Sequence, residues 1–182
     1  PFERALDWWG RSFTAMGVGF RDAKLTLDLV YRKGKHENGF MHGPLPCYQR
    51  KGVFHPAEIT FTAVAHPGET GGGQRALETL MHEGGHAAHF SNIIMPGACF
   101  SQEFAPTSVA LAETQSMFMD TLLEDPVWLL RYCEDREGIP LPRDLARQSL
   151  ENHVGNLPLE LRALMVIPYA ERAIYRLPDN QI

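Results

Sequence analysis

Only three cysteines, Cys47, Cys99 and Cys133, occur in the 182 residues, far apart and odd in number. They make neither a disulfide framework nor a paired-thiolate metal site, and they fit a reducing, cytoplasmic location. No run of about 18 apolar residues exists, which excludes a membrane-spanning helix. No block of five basic residues exists either, and the net charge is −5, so the electrostatic footprint of a nucleic-acid binder is missing. What remains is ordinary for a globular chain with a packed core: 44% hydrophobic and 21% charged residues. The chain opens on Pro1-Phe2-Glu3 without a Met or a signal peptide and stops at Asp179-Asn180-Gln181-Ile182 after a turn. The expectation is a single region, 1–182, cut from a longer protein.

Periodicity gives a coarse map. Residues 3–16 carry Ala5, Trp8, Trp9, Phe13 and Met16 at helical spacing. Residues 24–31 alternate, with Leu25, Leu27 and Leu29 on one face, and predict a strand. Residues 32–51 are rich in Gly, Pro and His and read as loop or short irregular strand, whereas 57–65 are β-branched and aromatic and predict a second strand. A glycine-rich loop, 66–74, closes this part. Helices follow at 75–92, 105–124, 126–136, 142–154 and 158–176, separated by a Pro/Gly loop at 94–102 and by Pro140, Pro142 and Pro158. The expected class is mainly α with a small β-sheet (α+β): a helix and small β unit over 1–74 leading into a helical part over 75–182.

The sharpest pattern is His82-Glu83-Gly84-Gly85-His86. On a helix the two histidines share one face about 6 Å apart at Cβ, a separation from which both can reach one zinc ion. Glu83 projects about 100° further round, beside the metal, where its carboxylate can take a proton from water that zinc has acidified. Such spacing also arises by chance on solvated helix faces. Here Ala76, Leu77, Leu80, Met81, Ala87, Ala88 and Phe90 surround the motif, so the helix is expected to be buried, and buried imidazoles and carboxylates need partners. A metal supplies them.

Catalytic zinc takes three protein ligands and keeps an open position. His89, Glu103 and Glu113 are the candidates for the third. His89 lies seven residues from His82, about 10 Å along the helix axis, too far for one ion; it reads as a packing residue or one that supports the ligands from behind. Glu113 sits mid-helix after apolar residues and is favoured over Glu103, which lies in or beside the Pro/Gly loop. Asp120, seven residues past Glu113, shares its helix face and is a candidate to orient a zinc-bound histidine, with a plain helix-surface carboxylate as the equal alternative.

The segment from Leu80 to Asp120 resembles the M3 family of zinc oligopeptidases, the group of thimet oligopeptidase and oligoendopeptidase F. The likeness rests on HEGGHAAH at 82–89, the Pro/Gly loop, and Leu111-Ala112-Glu113 on the next helix, with 26 residues between His86 and Glu113. Residues 28–35 are similar to the strand and turn that precede the family's catalytic helix. The resemblance implies a zincin-like core with a small sheet lining a channel, one Zn2+ per chain on His82, His86 and Glu113, Glu83 as general base, and short peptides as substrates. Two departures stand out. Residue 84 is Gly where the family commonly has a larger apolar residue, and the family's downstream tyrosine cluster, preceded by a His, has no close counterpart. Tyr169 and Tyr175 are the substrate-binding candidates that remain, each otherwise a helix-packing residue, and His42 is a third, in a loop that could face the cleft.

The expected activity is therefore a zinc metalloendopeptidase acting on short peptides. An M32-type metallocarboxypeptidase is the alternative within peptidases, since Glu113-Thr114-Gln115-Ser116 resembles that family's segment, but Ala112 stands where it has a His. A zinc-containing peptide-binding module without turnover is the alternative of another class, and it leaves Glu83 without a use.

Overall fold

A computed structural model of the chain describes residues 2–35, 39–66, 68–94 and 109–178. It is mainly helical with a small sheet. The candidates Glu103 and Cys99, and the predicted helix start at 105–108, lie outside the described residues. The chain divides into two compact units, residues 1–123 and 124–182. No described helix is long and apolar enough to cross a membrane.

The first unit opens with helix α1 (Glu3–Ala15), which buries Ala5, Trp9, Ser12 and Phe13 while Met16, expected on the same face, is exposed just beyond its end. Three strands form its sheet in the order β1-β5-β2. Strand β5 (Glu58–Thr62) is central, parallel to β1 (Lys24–Asp28) and antiparallel to β2 (Phe40–Leu45). Alternation along β5 buries Ile59 and Phe61, the expected result where one face of a sheet meets the core.

Strand β1 ends at Asp28, three residues earlier than the alternation predicted. The Asp28 carboxylate takes both Arg32 guanidinium nitrogens, at 2.8 and 2.7 Å, and the buried Lys35 ammonium reaches the carbonyls of Asp28, Val30 and Ala63. This knot turns the chain away from the sheet and leaves Val30 and Tyr31 exposed. Arg32 and Lys35 together hold the Asp28 carboxyl well below the usual carboxylate range.

The stretch read as loop or irregular strand, 32–51, contains β2 and also β3 (Tyr48–Arg50), which forms a hairpin with β4 (Val53–His55) just after it. Lys51 and Gly52 form its two-residue turn, both with positive φ (52° and 79°), the backbone that a tight hairpin requires and that Asn-Gly more often supplies.

Helix α2 (Gly72–Asn92) packs against α1, β2, β5 and α3 (Val109–Asp120). It begins within the predicted glycine loop, with Gly71 in the left-handed region as its N-cap. Glycine costs a helix interior about 1 kcal/mol relative to Ala, so tertiary burial holds α2 together: Leu80, Met81 and Ala87 are fully buried. The predicted helix 105–124 is resolved into α3 and a 3-10 turn, Thr121–Glu124.

In the second unit Asp125 caps α4 (Pro126–Tyr132), accepting from the Val127 amide at 2.8 Å, with Pro126 at the first helical position. Helix α4 ends four residues before the predicted boundary because the Asp135 carboxylate accepts from the Glu137 and Ile139 amides and forms a turn. The two helices expected at 142–154 and 158–176 are one, α5 (Arg143–Ile174). Pro158 and Pro168 both lie inside it, so that each removes an N–H and deprives the carbonyl four residues back, of Val154 and of Leu164, of its helical donor. Good helix formers on either side (Leu157, Leu159, Glu160 and Leu161 around Pro158) carry the helix through.

Candidate metal centre

His82 and His86 lie one turn apart on α2 and face Glu113 on α3. Glu113 Oε2 is 3.3 Å from His82 Nε2 and 3.4 Å from His86 Nε2, and the three ligand atoms all lie within 4.8 Å of one another. Among the described residues this is the one group of three or more such side chains able to hold a metal ion. The imidazole planes are nearly perpendicular, at 85°, so the two rings approach the centre from different directions.

His82 is held from behind. Its Nδ1 is 2.9 Å from Asp120 Oδ2, a contact that assigns the ring proton to Nδ1 and leaves the Nε2 lone pair toward Glu113. The expected supporting role of Asp120 thus has its geometry.

The charges around these groups are unbalanced. Burial alone would lower the His82 imidazole, but the hydrogen bond and charge of Asp120, with the charges of Glu83 and Glu113, raise it above its ordinary value. Burial lowers His86, and it lowers His89 too. Glu83 is 5% exposed, and burial, aided by Glu113 and Asp120 and opposed by His82, pushes its carboxyl up to about 7. Its Oε2 has no hydrogen-bond partner among the described residues. Three carboxylates gathered around two imidazoles, with an orphaned buried oxygen among them, need positive charge. The donor set therefore fits a divalent cation.

A cleft of about 250 Å3 opens at this point, lined by His82, Glu83, His86, Glu113 and the apolar side chains of Phe40, Met41, Phe90, Val109 and Ala112. Sequence reasoning missed these walls. Phe40 and Met41 come from a stretch too rich in Gly and Pro to place, and only the pairing of β2 with β5 brings them beside α2.

His42 and His89 stand outside this cleft. His42 is exposed on β2 with its ring 4.2 Å from that of Phe40, and it is not among the residues lining the cleft. His89 stands one turn beyond His86, 5.3 Å ring to ring from Phe90, and lines a separate cavity with Gly17, Gly19, Asn92 and Gln115. Tyr169 and Tyr175 belong to the second unit, where both side chains are exposed, Tyr169 on α5 and Tyr175 at its end.

Two glycines let α2 sit this deep. A Cβ on Gly84 would lie 2.3 Å from Trp9 Nε1, and a Cβ on Gly85 would lie 3.0 Å from Ser116 Cα. An indole arriving from α1 occupies the space that a side chain at position 84 would need. Comparison of the chain with protein-family models, curated proteins and solved structures returns no match.

Proposed function

We propose that this chain carries the catalytic centre of a zinc metallopeptidase acting on short peptides, with a zincin-like core of the M3 type. The observation that supports this reading is the convergence of His82, His86 and Glu113 in a cleft whose wall includes the buried carboxylate of Glu83, with its Oε2 unpartnered among the described residues. Two histidines and one glutamate form a ligand set used by catalytic zinc, whereas structural zinc prefers four ligands, often thiolates. Zinc held there would acidify water and polarise a peptide carbonyl.

The protein's own groups supply the rest. Glu83 accepts a proton from the attacking water and delivers it to the nitrogen of the departing amine, a task suited to a carboxyl group poised near neutral pH. Asp120 keeps the His82 proton on Nδ1. Phe40, Met41, Phe90 and Val109 thin the water around the reacting groups and offer an apolar surface to a peptide's side chains. The preference for short peptides rests on the M3 resemblance alone.

The test is cleavage of a mixture of quenched fluorescent peptides by this chain. We expect cleavage that a zinc chelator stops, that added zinc restores, and that Glu83→Gln lowers by about 10²–10⁴-fold while zinc stays bound. Cleavage that survives both the chelator and Glu83→Gln would overturn the proposal.

A further inference from the structure

The third ligand stands on a different helix from the first two, so the spacing of α2 and α3 decides whether the ligands meet. The helices come close at Gly85 on α2 and Ser116 on α3: a Cβ on Gly85 would be 3.0 Å from the Ser116 Cα, a backbone atom, and 3.0 and 3.2 Å from the Met119 side chain. Helix axes stand about 8–10 Å apart according to the side chains at the crossing, and here one helix offers none. The crossing is placed close to the ligands. Gly85 directly precedes His86, and Ser116 lies one turn after Glu113.

Ser116 does more than fill this crossing. It is fully buried, and its hydroxyl has two acceptors in donating reach, the Glu113 carbonyl at 2.9 Å and Glu113 Oε2 at 3.2 Å. That oxygen is the one facing both imidazoles. A glutamate side chain has three torsions to fix, and at 45% side-chain exposure Glu113 is not confined by packing. The hydroxyl is a directional contact on its carboxylate.

We infer that Ser116, seated against Gly85, is the positioning residue of the metal centre: it sets the reach and orientation of Glu113 toward His82 and His86. The inference rests on reading those three residues as metal ligands. It does not depend on which substrate the site takes, or on whether it turns over at all.

The experiment measures zinc affinity by competition with a chromophoric chelator, and the visible absorption of the cobalt(II)-loaded protein, for the full chain and three variants. Glu113→Ala, expected to weaken zinc binding most, tests the ligand set. Ser116→Ala should weaken zinc about 10–100-fold, the usual effect of losing a group that supports a ligand, and alter the cobalt spectrum, with the melting temperature of the metal-free protein close to the parent's. Gly85→Ala should weaken zinc as well, by forcing α3 outward; if it does not fold, Ser116→Ala decides alone. Parental affinity and spectrum in Ser116→Ala, with binding weakened in Glu113→Ala, would overturn the positioning role and leave the ligand set standing. Parental binding in Glu113→Ala would instead overturn the ligand set on which the inference rests.

Discussion

Helix α2 buries twelve of its 21 residues, whereas α5, with 32, buries only Ala146. Intrinsic preference does not account for this. Helix α2 contains four glycines and three histidines, α5 contains Pro158 and Pro168, and Leu159, Leu161, Leu164 and Met165 of α5 are each at least half exposed. The difference shows where the chemistry in the molecule comes from. Neighbours that exclude water on several sides raise a carboxylate's proton affinity. Glu83 has those neighbours, and its carboxyl is pushed up to about 7. Glu160 is exposed on α5.

Matched substitutions, one in each helix, break this comparison most directly. The largest effect is expected from Glu83→Gln against Glu160→Gln. The first should cost about 10²–10⁴-fold in peptide cleavage, and the second should leave the rate unchanged. Equal effects would mean that burial in α2 is irrelevant to the reaction.

Next is Leu80→Ala against Leu164→Ala. Leu80 is fully buried, and truncating such a residue costs about 2–5 kcal/mol through lost burial and the cavity left behind. Leu164 is 58% exposed, so its truncation should stay within about 0.5 kcal/mol. Urea unfolding followed by circular dichroism measures both. A large loss from Leu164→Ala would show α5 to be covered in solution.

Third are the two histidine–carboxylate pairs. Asp120→Asn removes the charge behind His82 and should weaken zinc about 10–100-fold in a competition titration. Glu124→Gln removes the partner of His153, whose Nε2 lies 3.1 Å from Glu124 Oε1 in the second unit. That pair is partly solvated, and its loss should cost less than about 1 kcal/mol in the melting of the protein and nothing in zinc affinity.

The same contrast explains what could be read from the sequence. His82, Glu83 and His86 were legible because their relation is local: four residues make one helical turn, and the apolar flanks announced burial. Glu113 and Asp120 were legible as helix positions seven apart, two turns on one face. The contacts that complete the centre are long-range. Nothing in the order of residues says that Trp9 fills the place of a side chain at Gly84, or that β1 pairs with β5 across three intervening strands. Local rules also failed where a neighbouring preference outweighed them. Pro158 predicted a break between two helices, yet α5 runs through it. Lys51 took a left-handed turn conformation because Gly52 follows it and two strands flank it.

The finest version of the comparison changes one hydrogen atom to a methyl group in each helix. Gly84 and Gly155 are both helical, and in an isolated helix either would gain about 1 kcal/mol on becoming Ala. Among the described residues, no atom beyond the local helix backbone lies within 4 Å of a new Cβ at Gly155, so Gly155→Ala should stabilise the protein by about that amount. At Gly84 the methyl would lie 2.3 Å from Trp9 Nε1 and 2.7 Å from Trp9 Cε2. The indole is packed against Phe13, Phe20 and Phe61 and has little room to retreat, so Gly84→Ala should destabilise by about 1–3 kcal/mol, the usual range for overpacking. Opposite signs for the same chemical change, read by thermal unfolding, would establish that packing against α1 decides the residue at position 84. Stabilisation by both would mean that the indole yields, leaving position 84 free to carry a larger side chain.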